Sequence, residues 1–590
     1  MTWVSIVVVL MVVATGCATV PRQSSLPAFP GAEGFGANTP GGRGGKVLFV
    51  TNLSDYDPKT EEIIPGSLRA VVNVKGPRII IFRISGTITL KTGLTITEPY
   101  LTLAGQTAPG DGICMRGHGT AIRTHDVIVR YMRFRVGDEW GVKNKKNFAP
   151  DSLAIAGGQT VNGKPTTRED ILDPSTKITF GARDIIIDHC SVSWGVDECL
   201  AITHADNITV QWCLVAEGLA YTTHDKTMNH SMGLMVGYVV PHITLHHNLI
   251  VHCNDRNPSC PTDYAIPYTM DVVNNVVYDW GFWAGIGYGK ENHNGTINWI
   301  GNYYVRGPRS RITEGLHIGV KARVYARGNI GPMRVNLQQD EYDAVYWAGV
   351  AKGVPGLKAD TPFVAPPVTT HSYLDAYDLV LGQAGATLPR RDAVDVRLVR
   401  EVKTRKGKHI NHPEEVGGWP LLKSEPAPKD SDNDGMPDDW ETKHGLGPAV
   451  ANSNGDADGD GYTDIEEWLN NTDPNAAGRP AGTESDPSVT KPSRGHRRCI
   501  RGFMLTANRT DTDWLYDLKP NWNHTARPDE ITRTEGTADT KEMLGTLAPG
   551  QEVFWYPWQQ DTPQDAILIE LREHCKKLKL HARGFPPESP

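Results

Sequence analysis

Between residues 79 and 305 the chain is a succession of short β-branched runs, four to eight residues each, separated by Gly, Asn, Asp and Pro. DIIIDHCSV (184–192), NITVQWCLV (207–215), HITLHHNLI (242–250), MDVVNNVVYD (270–279) and TINWIGNYYV (296–305) align on one another. Their cores end at Cys190, Cys213, Asn248, Asn275 and Asn302, at spacings of 23, 35, 27 and 27 residues. A unit of that size cannot bury its apolar face alone, so successive units must stack. The expected architecture is an all-β solenoid, a parallel β-helix whose strands lie about 4.8 Å from those of the next coil. Asn248, Asn275 and Asn302 then fall at one turn, where their amides can bond along the axis. A β-sandwich or propeller would show an Asn-Gly hairpin rhythm or a Trp-Asp blade signature, and neither is present.

The remaining length, 590 residues in all, calls for further units. With 60 Lys+Arg against 68 Asp+Glu and 39% hydrophobic residues, the chain can bury a core and carries no basic excess for nucleic acid. Residues 1–17 read as a signal peptide with an apolar stretch too short to span a bilayer. The stretch ends in Ala14-Thr15-Gly16-Cys17, which resembles a bacterial lipoprotein processing site. Export is therefore expected, either with Cys17 lipidated and the membrane met only through that anchor, at a bacterial surface or in the periplasm, or by plain secretion. Export permits disulfides, and Cys253 with Cys260 or Cys499 with Cys575 could pair or remain buried thiols.

The β-helix is expected over 27–345, a segment packing back on it over 346–425, and an acidic module over 426–475. A polar linker over 476–498 leads to an unassigned region, 499–590, that includes the amphipathic DAILIELREHCKKLKLH.

The acidic module carries the pattern D-x-D-x-D-G-x-x-D-x-x-E twice, 26 residues apart. Asp430, Asp432, Asp434, Asp438 and Glu441 form the first set, and Asp456, Asp458, Asp460, Asp464 and Glu467 the second. Carboxylates at loop positions 1, 3, 5, 9 and 12, with Gly at 6 for the sharp turn, are the oxygen donors that Ca²⁺ requires. The short flanks make the module resemble a dockerin-like or thrombospondin-type structural repeat.

On the solenoid, Asp151 in DSLAI and Asp197-Glu198 in WGVDECL sit on neighbouring coils, and Arg256 follows HHNLIVHCND. With FPGAEGFGANTPGGRGG (29–45), DHCSVSWGVDE (188–198) and HHN followed by R-N-P, the chain over about 27–425 resembles pectate lyases of polysaccharide lyase family 1. The resemblance implies a right-handed parallel β-helix acting, as a monomer, on an acidic plant-type polysaccharide such as polygalacturonate. It also implies Ca²⁺ held by Asp151 and Asp197, and Arg256 as the catalytic arginine. The family's third calcium carboxylate falls at Ala201, so either Glu198 or the substrate must supply the missing oxygen, and its second arginine falls at Pro261. A complete R-x-P-x-x-R at Arg306, Pro308 and Arg311 lies a coil or two later. Lys226 in HDKTMNHS stands nearest to the family's substrate-binding lysine.

The chemistry is coherent without the resemblance. β-Elimination removes a weakly acidic C5 proton beside a carboxylate; a metal ion and a guanidinium stabilise the charge that develops. A free guanidine is a base only above pH ~12, so an alkaline optimum follows if arginine takes the proton. Two other readings fit the same residues: a glycoside hydrolase using carboxylates about 5 to 9.5 Å apart, and a non-catalytic glycan-binding surface protein. Trp280, Trp283 and Tyr288 are either a sugar-stacking platform or core.

Overall fold

The computed structural model describes residues 26–476, apart from 168, 171–172, 174, 225–228, 262–266, 288–294, 311–314 and 320–321, together with six short strands between 503 and 584. Cys17, Lys226, Tyr288, Arg311, Cys499, Cys575 and the amphipathic segment near the C-terminus lie outside the described residues. Among the described residues no helix is long and apolar enough to cross a membrane.

Three parallel sheets wind into a β-helix. The longest has ten strands, from Lys46–Val50 to Arg323–Arg327. The second has eight, from Gly86–Thr89 to Tyr303–Val305. The third has five: Leu94–Ile96, Thr120–Ile122, Leu153–Ala156, Glu198–Thr203 and Met232–Gly237. One coil visits each in turn, as Glu198–Thr203, Ala205–Gln211 and Leu214–Ala216 do.

Parallel pairing in register puts like residues on top of one another. Leu101, Val127, Ile185, Ile208, Ile243, Met270, Ile297 and Val324 form one continuous stack inside the tube. Burying each such side chain contributes about 1.5–3 kcal/mol, which offsets the ordering of the backbone. The intervening positions Thr209, Thr244, Asp271 and Asn298 stack in the same register on the other face, so these strands alternate apolar-in and polar-out.

The asparagine ladder forms and runs one rung further than expected. Asn248 Oδ1 accepts the Cys213 N–H at 2.9 Å, and Asn275 Oδ1 accepts the Asn248 backbone N–H at 3.0 Å. Asn302 Oδ1 accepts from Asn275, and Asn329 Oδ1 from Asn302. The residue before each rung, His247, Asn274, Gly301 and Gly328, is left-handed. That bend turns the chain from the first sheet into the second and directs the amide inward.

Helices Tyr373–Gln383 and Ala393–Thr404 lie against the outside of the eight-stranded sheet, where Val380, Leu381, Leu398 and Val402 bury Leu214, Leu249, Val276 and Val305. Ser372 and Asp392 cap their N-termini. Asp392 and Asp395 also pair with the fully buried Arg135, so each charge is met inside the interface. The glycine-rich 29–45 stretch lies across the long sheet. There Gly36 N–H donates to Thr209 Oγ1 at 2.9 Å, and a Cβ on Gly36 would stand 2.3 Å from the Ile185 carbonyl oxygen.

Cys253 and Cys260 are both free thiols in the core, so the bridge considered between them is not formed. Trp280 is wholly buried core, whereas the Trp283 ring lies tilted against His317 with ring centroids 4.0 Å apart.

Candidate active site

The site lies where the third sheet begins. Asp151 immediately precedes the coil of Leu153–Ala156, Asp197 and Glu198 open the strand Glu198–Thr203, and that strand pairs with Met232–Gly237. Met232 in turn bridges Asp255, and Leu234 N–H donates to the Arg256 carbonyl at 2.7 Å. Four successive coils thus bring residues more than 100 positions apart onto one wall.

Carboxylate oxygens of Asp151, Asp197 and Glu198 lie within 4.8 Å of one another. Asp151 Oδ1 also accepts the Glu198 backbone N–H at 3.0 Å. Arg256 is ion-paired to Glu198, and its guanidinium lies 3.0 Å from Met235 Sδ. Arg256 adopts φ 59°, an unfavourable left-handed backbone for a residue with a side chain. Burial, followed by the neighbouring Asp197 charge, pushes Asp151 up to about 7, opposed by Arg256 and His230. Three carboxylates facing one guanidinium leave excess negative charge, which a divalent cation would neutralise.

Ala201 lies mid-strand between Ala154 and Met235 and offers no oxygen. Pro261 is buried. Arg306, from the second arginine motif, donates to the Ser310 carbonyl at 3.2 Å. Asp188 is fully buried and bonded to Arg130, His189 and Gln211, a structural knot between coils.

A probable pectate lyase C of Aspergillus terreus is 34% identical to the chain over 463 residues, spanning 77% of this chain and 96% of that protein. The chain belongs to the pectate lyase family. This pectate lyase is accordingly a polysaccharide lyase. The Aspergillus flavus probable pectate lyase C is 33% identical over the same shares, and probable pectate lyase 13 of Arabidopsis thaliana 27% over 276 residues, 46% of each chain. Among solved structures, the cedar pollen allergen jun a 1 superposes with TM-score 0.37 at 16% identity, covering 60% of this chain and 92% of that one. A pectate lyase from Bacillus sp. N165 in complex with trigalacturonate superposes with TM-score 0.33 at 13% identity, covering 60% and 98%. A bacterial TSP3 repeat model matches residues 430–445 and 456–477.

The repeat segment of this pectate lyase docks on the first coils, with Met436 and Ile465 buried against Ile79 and Ile81. Arg83 pairs with Asp430, and Arg43 with Glu466 at 2.9 Å. In each loop three aspartates converge, Asp430, Asp432 and Asp434 in one and Asp456, Asp458 and Asp460 in the other. Gly435 and Gly461 take φ 107° and 98°, the left-handed turn that position 6 requires. Both Glu441 carboxylate oxygens, Asp432 Oδ2 and Glu467 Oε2 are buried without a hydrogen-bond partner among the described residues. Burial and the surrounding aspartates push Glu441 up to about 7 and Glu467 up to about 8. Such a donor set fits Ca²⁺. Asp438 bonds instead to Ser431 and Lys429, and Asp464 to the Ala457 N–H.

Three site residues escaped the sequence reading. His230 Nε2 lies 2.5 Å from Asp197 Oδ1, His224 Nε2 lies 3.3 Å from it, and Asp255 Oδ1 accepts the Arg256 N–H at 2.6 Å. Burial pushes Asp255 up to about 7. The only available signal was that two histidines flank Lys226 in HDKTMNHS, just ahead of Met232 in the sequence.

Proposed function

We propose that the chain cleaves pectate-like polygalacturonate by calcium-dependent β-elimination, leaving an unsaturated uronate at the new non-reducing end. The supporting observation is the convergence of Asp151, Asp197 and Glu198 within 4.8 Å, with Arg256 paired to the same Glu198. Glycoside hydrolysis would use two carboxylates and leave the third, with Arg256, without a role.

In this reading Asp151, Asp197 and Glu198 hold Ca²⁺ against the substrate carboxylate. Bound calcium supplies Lewis acidity, withdrawing charge from the uronate. Arg256 meets the C5 proton, stabilises the carbanion-like charge as C4–O breaks, and acts as the base under alkaline conditions. Lys226 is assigned to a second substrate carboxylate. Methyl esters would bind poorly, since an ester cannot bridge the cation as a carboxylate does.

The same proposal covers the organisation of the chain: residues 27–345 catalytic, 346–425 packed on them, 426–475 a calcium module whose loops hold Ca²⁺ through Asp430, Asp432, Asp434, Asp438, Glu441 and their counterparts. Residues 1–17 direct export and Cys17 carries the lipid, so a monomer acts at the bacterial surface or in the periplasm.

Incubating the exported form with polygalacturonate and calcium, and following unsaturated-uronate absorbance, tests the reading. Absorbance that grows and stops on adding chelator is expected. New reducing ends without absorbance would assign a hydrolase, and neither signal would leave a glycan-binding protein.

A further inference from the structure

Asp197 belongs to two donor sets. One is the all-oxygen trio with Asp151 and Glu198; the other is Asp197, His224 and His230, whose ligand atoms also lie within 4.8 Å of one another. Both imidazoles present Nε2 to the same Asp197 oxygen, at 3.3 and 2.5 Å, with ring centroids 4.4 Å apart. His230 is 1% exposed and His224 7%, while a third of the Asp197 side chain remains open to solvent. The geometry points to a second metal site on Asp197, His224 and His230 that takes a borderline divalent transition-metal ion, of the Zn²⁺, Co²⁺ or Ni²⁺ class.

The chemistry separates the two sets. Calcium is a hard cation that takes oxygen donors, so the imidazoles do not recruit it. Two imidazoles and a carboxylate are a donor set for Zn²⁺ and its neighbours, at about 2.0–2.2 Å per bond, with the fourth position left for water. Three donors around such an ion stand roughly 3.2–3.5 Å apart, so the His224 contact is already at that spacing and the His230 contact opens by less than about 1 Å.

The two sites share one carboxylate. An ion held by the histidines competes with calcium for Asp197, the residue common to both donor sets. It would oppose calcium there without occupying the same position.

The inference shares Asp197 with the calcium site proposed above, so the test reads metal uptake rather than turnover. The full chain, freed of metal, is titrated with Co²⁺. Four-coordinate Co²⁺ with nitrogen donors gives an intense visible band that the all-oxygen loops do not produce. One equivalent of band-forming site is expected, with affinity at least 10-fold lower in His224→Ala and in His230→Gln, which keeps a hydrogen bond to Asp197. Asp430→Asn with Asp456→Asn should leave the band unchanged. No band in the wild-type chain, or a band that survives both histidine changes, would overturn the assignment. If His230→Gln fails to fold by circular dichroism, His224→Ala alone decides.

Discussion

The Asp151 carboxylate accepts the backbone N–H of Glu198 at 3.0 Å, across one coil of the solenoid. This bond fixes the first carboxylate of the site to the main chain that carries the other two. The arrangement of the three carboxylates is therefore set by coil stacking, and the arginine two coils further on meets a wall that is already ordered.

Replacing Arg256 by Lys keeps the charge and removes the planar guanidinium that pairs with Glu198. Turnover of polygalacturonate should fall at least ~100-fold, about 2.7 kcal/mol of transition-state stabilisation. Circular dichroism and the melting temperature should be unchanged. Near-normal turnover would remove Arg256 from the mechanism.

The ladder should be expensive to interrupt. Asn275→Ala deprives the buried Asn248 backbone N–H and the Leu245 carbonyl of their partners. Leaving such groups unsatisfied costs on the order of 3 kcal/mol in total. A denaturant titration should show a lower midpoint, and the exposed Lys429→Ala serves as the control without effect.

Calcium removal should loosen the first coils as well as the groove. The repeat segment covers Ile79 and Ile81 through Met436 and Ile465. At calcium 100-fold above its dissociation constant, each loop would contribute about 2.7 kcal/mol to the folded state. Chelator should lower the melting temperature, and Asp430→Asn with Asp456→Asn should abolish most of that shift. An unchanged melt with chelator would separate the loops from stability.

His252 supplies a pH dependence of its own. Burial works against its charge, but the hydrogen bond to Asp279 and the Glu401 carboxylate 3.3 Å away outweigh burial and raise it from 6.5 to about 9. A folded-state value above the unfolded one means this stabilisation is complete below pH ~6.5 and lost as pH rises through about 9. Melting temperatures from pH 6 to 10 should decline across that window, and Asp279→Asn should flatten the decline. A decline of the same size in the variant would exclude His252 as its source.

Much of this molecule is legible from local rules. The recurrence of Cys213, Asn248, Asn275 and Asn302 specifies a coil, and the same 27-residue step extends to Asn329, which the sequence reading passed over. The calcium loops are readable because every donor sits within one 12-residue turn. Trp280 and the thiols of Cys253 and Cys260 were ambiguous, because an aromatic side chain or a cysteine near a turn has the same spelling whether it faces the core or its surface.

What the sequence determined by itself is the repeating unit, its inward apolar face and the acidic loops, since each depends on neighbours along the chain. The tertiary structure decided which carboxylates lie together, that Glu198 joins Asp151 and Asp197, and that His230 reaches Asp197 across 33 residues. The reason is physical: backbone pairing fixes strand registry once coils stack. The loops between coils differ in length, so separation along the chain carries no information about which loop residues overlap.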